Sequence, residues 1–190
     1  QVLSSATNII AEGEVLQLMN CHDADVDEAR YLQVIRYKTA KLFEAASQLG
    51  ALLGKVDSAT EQALAAYGMH LGTAFQLIDD VLDYSGQEVS TGKHLGDDLA
   101  EGKPTLPLIY VMQHGTPEQA ASVRKAIEEG GREDFPLVLE AIRSSGALEH
   151  ARRRAVAEAE LARAAIQCLG DSQYKVALLQ LTLFAVERNH

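Results

Sequence analysis

Three aspartates near the end of an apolar helix are the residues best suited to chemistry. Asp79 and Asp83 are four residues apart and share one face of the predicted helix, with Asp80 on its shoulder. Like charges repel at this spacing, and carboxylates are unfavourable near a helix C-terminus, where the helix dipole is negative. A hard divalent cation would remove both penalties, because Mg²⁺ binds carboxylate oxygens and bridges them to substrate phosphates. A solvated helix end is the alternative explanation.

A glycine-rich segment with two lysines follows these aspartates directly. Residues 85–103 break the helical pattern and contain four glycines together with Lys93 and Lys103. Small residues allow the backbone to approach a ligand closely, and lysine ammonium groups neutralise phosphate oxygens. The segment is no P-loop, because His94 stands where that motif needs Ser or Thr. A carboxylate face followed by this loop predicts a site for a phosphorylated ligand, and a flexible connector is the alternative.

The elements that must position these residues are predicted to be helices throughout. Apolar residues recur at three- and four-residue spacing, and no segment alternates with the period of a strand. The predicted helices span 2–20, 25–49, 58–84, 105–113, 116–129, 134–144, 147–168 and 171–188. The helix over 58–84 is apolar around most of its circumference, so it is expected to be buried. We therefore predict one all-α domain.

Composition excludes several classes of protein. The chain has 190 residues and a formal net charge of −10, which argues against a nucleic-acid-binding surface because such surfaces are basic. Two cysteines without paired spacing form no disulfide framework, which favours a reducing, cytoplasmic location. No apolar run reaches the length of a membrane span.

Four segments together resemble the second aspartate-rich region of the trans-isoprenyl diphosphate synthases. They are Gln76–Tyr84, Lys93, Gly96–Leu99 and Glu101–Pro107, in the order and spacing of that family. Lys38–Thr39, midway along the helix predicted over 25–49, is similar to the Lys-Thr pair with which the family contacts diphosphate. A lysine on a helix is otherwise most often a solvated residue, so this pair gains its meaning from the resemblance.

The resemblance implies an isoprenoid-synthase-type helical bundle and a prenyltransferase. The family ionises an allylic diphosphate, held by three Mg²⁺ ions for which Mn²⁺ is a possible substitute, and condenses it with isopentenyl diphosphate. Glu12–Leu18 is similar to the form found in long-chain members. The implied product is therefore a long all-trans polyprenyl diphosphate, octaprenyl for a quinone side chain. A homodimer without nucleic-acid partners or a transmembrane segment is also implied.

The resemblance also assigns a role to each candidate residue. The implied metal ligands are Asp79, Asp80 and Asp83, of which Asp79 is the best candidate. Lys38, Lys93 and Lys103 would contact the allylic diphosphate, while Thr39 and Gln76 would orient it by hydrogen bonds. Phe75 would lie near the isopentenyl unit, with a plain core residue as the alternative. The residues expected to carry catalysis are Lys38, Asp79, Asp80 and Lys93.

One family motif has no counterpart in the sequence. The family places a first aspartate-rich motif on a facing helix, and nothing among these 190 residues matches it. Because the chain also starts at Gln1 within a helical pattern, we expect residues 1–190 to be the C-terminal part of a single synthase domain that lacks its N-terminal helices. The missing part could be cleaved, disordered or present as another chain, and this part alone is expected to be inactive.

Several alternatives stay open at this point. A shorter-chain synthase would use the same chemistry, because product length is set mainly near the missing motif. A non-catalytic subunit of a heteromeric synthase is a different class, although such subunits often lose the aspartates that are present here. A terpene cyclase is less consistent with Lys93 and Lys103. A general helical binding module would not explain the joint spacing of the motifs.

Overall fold

Helices form the regular structure of the chain. A computed structural model describes residues 1–85, 95–130 and 132–188, and these ranges contain helices and no strands. The α-helices are α1 (Val2–Asn20), α2 (Glu28–Ile35), α3 (Lys41–Leu53), α4 (Ser58–Ser85), α5 (Asp97–Ala100), α6 (Leu106–His114), α7 (Pro117–Glu129), α8 (Phe135–Ser145), α9 (Ala147–Ala165) and α10 (Gln173–Glu187). A π-helical segment, Arg36–Ala40, joins α2 to α3, and a 3-10 turn, Ile166–Cys168, follows α9. The predicted all-α class is confirmed. Within the described ranges, no helix is both long and apolar enough to cross a bilayer.

Helix α4 carries the aspartates and is buried along much of its length. It begins after Asp57, whose Oδ1 accepts a hydrogen bond from the Thr60 N–H at 2.7 Å and so caps the helix N-terminus. Its later turns are lined by inaccessible apolar and aromatic side chains: Ala74, Leu77, Ile78, Val81 and Tyr84. The helix forms as predicted, and its burial carries Asp80 into the interior.

The second predicted helix is interrupted. The sequence predicts one helix over 25–49, whereas the structure has α2, the π-helical segment and α3. At this interruption the Lys41 N–H donates to the carbonyl oxygen of Arg36, five residues earlier. Such wide turns occur mostly as single insertions in α-helices, often at functional sites. Lys38 and Thr39 lie in this turn, so the interruption determines where their side chains are placed.

The described chain divides into two compact units. The first unit comprises Gln1–Glu14, Gln33–Gln76 and Arg154–Arg188, and the second comprises Val15–Leu32 and Leu77–Arg153. A core of the first unit is formed by Tyr67, Leu71, Ala162, Ile166 and Ala185. In the second unit α6, α7 and α8 pack against one another. Their shared core includes Tyr84, Leu99, Leu108, Val111, Val123, Ile127, Val138 and Ile142.

His22 fixes the loop that precedes Lys103 in the second unit. Its backbone N–H donates to the carbonyl oxygen of Gly102 at 2.8 Å, and its Nδ1 lies 3.1 Å from the carbonyl oxygen of Ile127. Gly102 has a φ of 65°, in the left-handed region that favours glycine. A Cβ on Gly102 would also overlap the His22 ring. Both the backbone conformation and the contact therefore require glycine beside Lys103.

We expect Gly102→Ala to destabilise the protein more than Gly146→Ala. Gly146 is the matched control, because its φ is 77° and a Cβ there would meet nothing within 4 Å. The control should lose about 1–2 kcal/mol from left-handed strain. The Gly102 variant should lose about 1–3 kcal/mol more through overpacking against His22. Urea unfolding measures both values, and equal losses would show that the His22 contact places no constraint on the loop.

Candidate functional site

The three aspartates of α4 differ in burial. Asp80 is only 1% exposed, whereas Asp79 and Asp83 are partly exposed. Removing a carboxylate from water costs several kcal/mol unless the fold supplies opposite charge and hydrogen bonds. The position of Asp80 therefore depends on its partners.

Tyr31 and Lys103 are the partners that hold Asp80. The Tyr31 hydroxyl donates to Oδ2 of Asp80 at 2.7 Å, and the Lys103 Nζ lies 3.4 Å from Oδ1. Tyr31 is itself buried, and this burial together with the Asp80 charge raises the pKa of its phenol well above the usual value. The phenol consequently stays a neutral donor, and each carboxylate oxygen of Asp80 has a donor of its own.

Asp98 joins this cluster from helix α5. Its carboxylate pairs with Lys103 Nζ at 2.9 Å, and its backbone N–H donates to Oδ2 of Asp83 at 3.2 Å. Burial and the nearby Asp80 charge raise the pKa of Asp98 to about 7, although Lys103 opposes this. Burial also raises the pKa of Asp83, against the effect of the Asp98 and Asp97 N–H groups. Three carboxylates are thus crowded together in the second unit.

Lys103 supplies positive charge to this cluster. Burial alone would lower the pKa of its ammonium group, but the charges of Asp80 and Asp98 raise it above the usual value. Lys103 therefore stays protonated, with only 15% of its side chain exposed. Among the residues that the structure describes, Lys103 thus places one ammonium group between the carboxylates of Asp80 and Asp98.

The donor set suits a hard cation. Asp79 and Asp83 offer partly exposed carboxylate oxygens, the ligands that Mg²⁺ and Mn²⁺ prefer, beside the buried carboxylate of Asp80. Among the residues that the structure describes, no three His, Cys, Asp or Glu side chains form a ready-made ligand cage. Mg²⁺ typically binds one or two carboxylates and completes its shell with waters and substrate phosphates. The aspartates therefore fit a cation that binds together with a phosphorylated ligand.

The first unit holds a second group of predicted residues. Thr39 Oγ1 donates to Oε1 of Gln76 at 3.0 Å. Lys38 Nζ forms an ion pair with Glu14 at 3.0 Å, and both side chains are partly exposed. The structure thus brings Thr39 and Gln76, two of the predicted residues, into contact with each other. Glu14 holds the Lys38 ammonium near the π-helical segment.

Phe75 lies between two side chains of the first unit. The Arg188 guanidinium carbon is 3.7 Å from the centre of the Phe75 ring, and the Phe43 ring centre is 5.5 Å away. Arg188 also donates to the carbonyl oxygen of Phe75 at 2.8 Å. Phe75 is partly buried, and its contacts are with Arg188 and Phe43.

Sequence reasoning missed two members of the cluster, and one predicted residue lies outside the described ranges. Lys93 belongs to residues 86–94, which the structure does not describe. Asp98 lies in the segment that resembles the family, but sequence reasoning assigns it no role. Its position five residues before Lys103 is the one sequence feature that could have indicated their ion pair. Tyr31 gave no local signal, because it lies 49 residues from Asp80 in sequence.

Comparison with known proteins identifies the family. The model of the family described as polyprenyl synthetase matches residues 1–142. Octaprenyl diphosphate synthase of Escherichia coli K12 is 53% identical over 190 residues, which is all of this chain and 59% of that protein. All-trans-nonaprenyl-diphosphate synthase (geranyl-diphosphate specific) of Rhodobacter capsulatus is 45% identical over 186 residues, 97% of this chain and 57% of that protein.

A solved structure gives the same result for the fold. Polyprenyl synthase from Caulobacter crescentus CB15, complexed with calcium and isoprenyl diphosphate, superposes with a TM-score of 0.94 at 44% identity. The match covers all of this chain and 58% of that one, so the chain spans less than two thirds of the relatives it matches. Since the family model matches well over half of the residues and the helices superpose closely, the chain belongs to the polyprenyl synthetase family and has its all-α isoprenoid synthase fold.

Proposed function

We propose that the chain is the C-terminal part of a trans-polyprenyl diphosphate synthase. In this function, isopentenyl diphosphate units are added to an allylic diphosphate. The observation that carries the proposal is the buried Asp80 carboxylate, held by Tyr31 and Lys103 at the end of α4 in a member of the polyprenyl synthetase family. A buried charge of this kind is costly, and structural stability alone gives no reason to keep it.

The substrate class is supported by a related structure. The Caulobacter crescentus neighbour was crystallised with calcium and isoprenyl diphosphate, a divalent cation together with a diphosphate. The same pair of ligands suits the crowded carboxylates and Lys103 of this chain. We infer that Asp79, Asp80 and Asp83 hold Mg²⁺, for which Mn²⁺ can substitute. The bound cation would neutralise the negative charge that develops on a departing diphosphate.

Three lysines are assigned to contacts with the diphosphate. Lys103, which pairs with Asp80 and Asp98, would supply an ammonium group to the diphosphate oxygens as they gain negative charge. Lys38 and Lys93 are the further candidates for contacts with the allylic diphosphate.

Thr39, Gln76 and Phe75 are assigned to orientation. Thr39 and Gln76 would align the allylic diphosphate through their shared hydrogen bond. Phe75 offers an apolar ring beside the isopentenyl unit. Apolar side chains of α4 would keep water away from the allylic cation.

A further part of the proposal concerns the chain length of the product. The relatives at 53% and 45% identity are named octaprenyl and nonaprenyl diphosphate synthases, so we propose a long product, octaprenyl, for a quinone side chain. A shorter-chain synthase is the alternative, and the chain length of the products distinguishes the two. A homodimer and a cytoplasmic location stay predictions.

The 190-residue chain alone should not elongate a labelled allylic diphosphate in the presence of Mg²⁺. The test compares it with a hybrid protein, in which the residues of Escherichia coli octaprenyl diphosphate synthase that precede the matched region are joined in front of Gln1. The hybrid regains the first aspartate-rich motif and should produce long prenyl diphosphates, resolved by chromatography. Elongation by the 190 residues alone would show that this motif is dispensable.

In the hybrid, Asp79→Ala should lower kcat/KM by about 100-fold or more, since it removes charge stabilisation from the leaving group. Asp171→Ala is the matched control, because that aspartate is fully exposed and its ion pair with Lys175, at 3.6 Å, is long. The control should keep normal turnover. Near-normal turnover of Asp79→Ala would refute its role as a metal ligand.

Tyr31→Phe should cost about 1.5–3 kcal/mol of unfolding free energy, because a hydrogen bond to a buried carboxylate is lost. Tyr84→Phe is the control: Tyr84 is equally buried, but its hydroxyl accepts a 3.4 Å hydrogen bond from the neutral Thr105. We expect the control to lose only about 0.5–1.5 kcal/mol. Chemical denaturation measures both losses. If Tyr31→Phe cost no more than Tyr84→Phe, Asp80 would not depend on the phenol.

A further inference from the structure

The π-helical segment Arg36–Ala40 is enclosed by backbone on two sides. A Cβ added to Gly13 of α1 would lie 2.6 Å from the backbone nitrogen of Lys38. A Cβ added to Gly72 of α4 would lie 2.6 Å from the Cα of Ala40. Only glycine allows such close approach, so the segment that carries Lys38 and Thr39 has little freedom to shift sideways.

A buried carboxylate holds the first residue of the same segment. Glu158 of α9 has 4% of its side chain exposed, and its Oε1 lies 3.2 Å from the Arg36 guanidinium. Its Oε2 lies 2.6 Å from Nδ1 of His70 on α4. Each carboxylate oxygen therefore has one partner, and the carboxylate links α9, α4 and the start of the π-helical segment.

The balance of charge keeps Glu158 ionised despite its burial. Burial alone would raise the pKa of this carboxyl, but His70 and Arg36 together lower it below the usual value. An ionised carboxylate makes a strong, directional hydrogen bond to guanidinium. Arg36 is also the acceptor of the wide hydrogen bond from the Lys41 N–H that defines the segment. Fixing Arg36 therefore fixes one end of this turn.

We infer that Glu158, acting through Arg36, is a positioning residue for Lys38 and Thr39. The Glu158–Arg36 pair holds the π-helical turn in register, so that Lys38 and Thr39 face the ligand together rather than rotating by about 100° to the position of an uninterrupted helix. This inference rests on the proposed function, because it assigns Lys38 and Thr39 to the allylic diphosphate.

The test uses single variants of the pair and their combination. Glu158→Gln and Arg36→Met each remove one charge, and the double variant removes both without leaving an unpaired buried charge. Glu160→Gln is the matched control, because Glu160 lies on the same helix, is 66% exposed and pairs at 3.8 Å with Arg163. If the pair acts as a unit, the double variant should speed hydrogen exchange at the Lys41 amide no more than either single variant does.

Hydrogen exchange in the 190-residue chain reports the turn without any activity. In Glu158→Gln we expect the Lys41 amide to exchange about tenfold faster, while the amides of α10 keep their wild-type rates. A general loss of stability would speed exchange in both places, and unchanged exchange at Lys41 would mean that Glu158 does not hold the turn. Either result overturns the inference.

Kinetics of the hybrid protein separate this inference from the proposed function. Glu158→Gln should raise KM for the allylic diphosphate by about tenfold and leave KM for isopentenyl diphosphate unchanged. Lys38→Ala serves as the reference. If Lys38→Ala raises the allylic KM and Glu158→Gln does not, the positioning role is wrong and the proposed function stands. If Lys38→Ala changes nothing, the assignment of Lys38 to the diphosphate fails instead.

Discussion

Burial of the Asp80 carboxylate is the constraint on which the second unit depends. Helix α4 must be apolar around its circumference to form a core, yet it carries a charge at its C-terminal end, where the helix dipole opposes a carboxylate. The fold accommodates the buried side chain because Tyr31 donates to one oxygen of Asp80 and Lys103 approaches the other. Lys103 in turn depends on the loop that His22 holds through Gly102. The network around this one aspartate therefore joins Tyr31, Lys103, Asp98 and His22 in the second unit.

In the first unit, backbone geometry determines the positions of Lys38 and Thr39. Lys38 and Thr39 would sit on an ordinary helix if α2 and α3 were continuous, and the π-helical segment places them differently. Glycines at 13 and 72 and the Glu158–Arg36 pair surround this segment. Both units thus use buried charge to fix residues assigned to the diphosphate, one directly at Asp80 and one through Arg36.

Sequence patterns predicted most of the helices and the burial of α4. The apolar period of residues 58–84 predicts a buried helix, and the acidic residues at its end stand out against it. The same period fails at Arg36–Ala40, because a π-helical turn is stabilised by contacts with distant residues and leaves no local signature. Tyr31 and Glu158 escaped prediction for the same reason: their partners lie 49 and 122 residues away. Pairing across such separations is decided by packing, which one sequence does not display.

The claim that these aspartates hold a cation together with diphosphate is tested most directly by diffraction. Crystals of the chain grown with Mn²⁺ and inorganic diphosphate would locate the metal by its anomalous scattering. We predict a manganese peak within about 2.2 Å of carboxylate oxygens of Asp79, Asp80 or Asp83, with diphosphate oxygens completing the shell and Lys103 beside them. A diphosphate bound elsewhere, or bound at Lys103 without metal at the aspartates, would contradict this assignment.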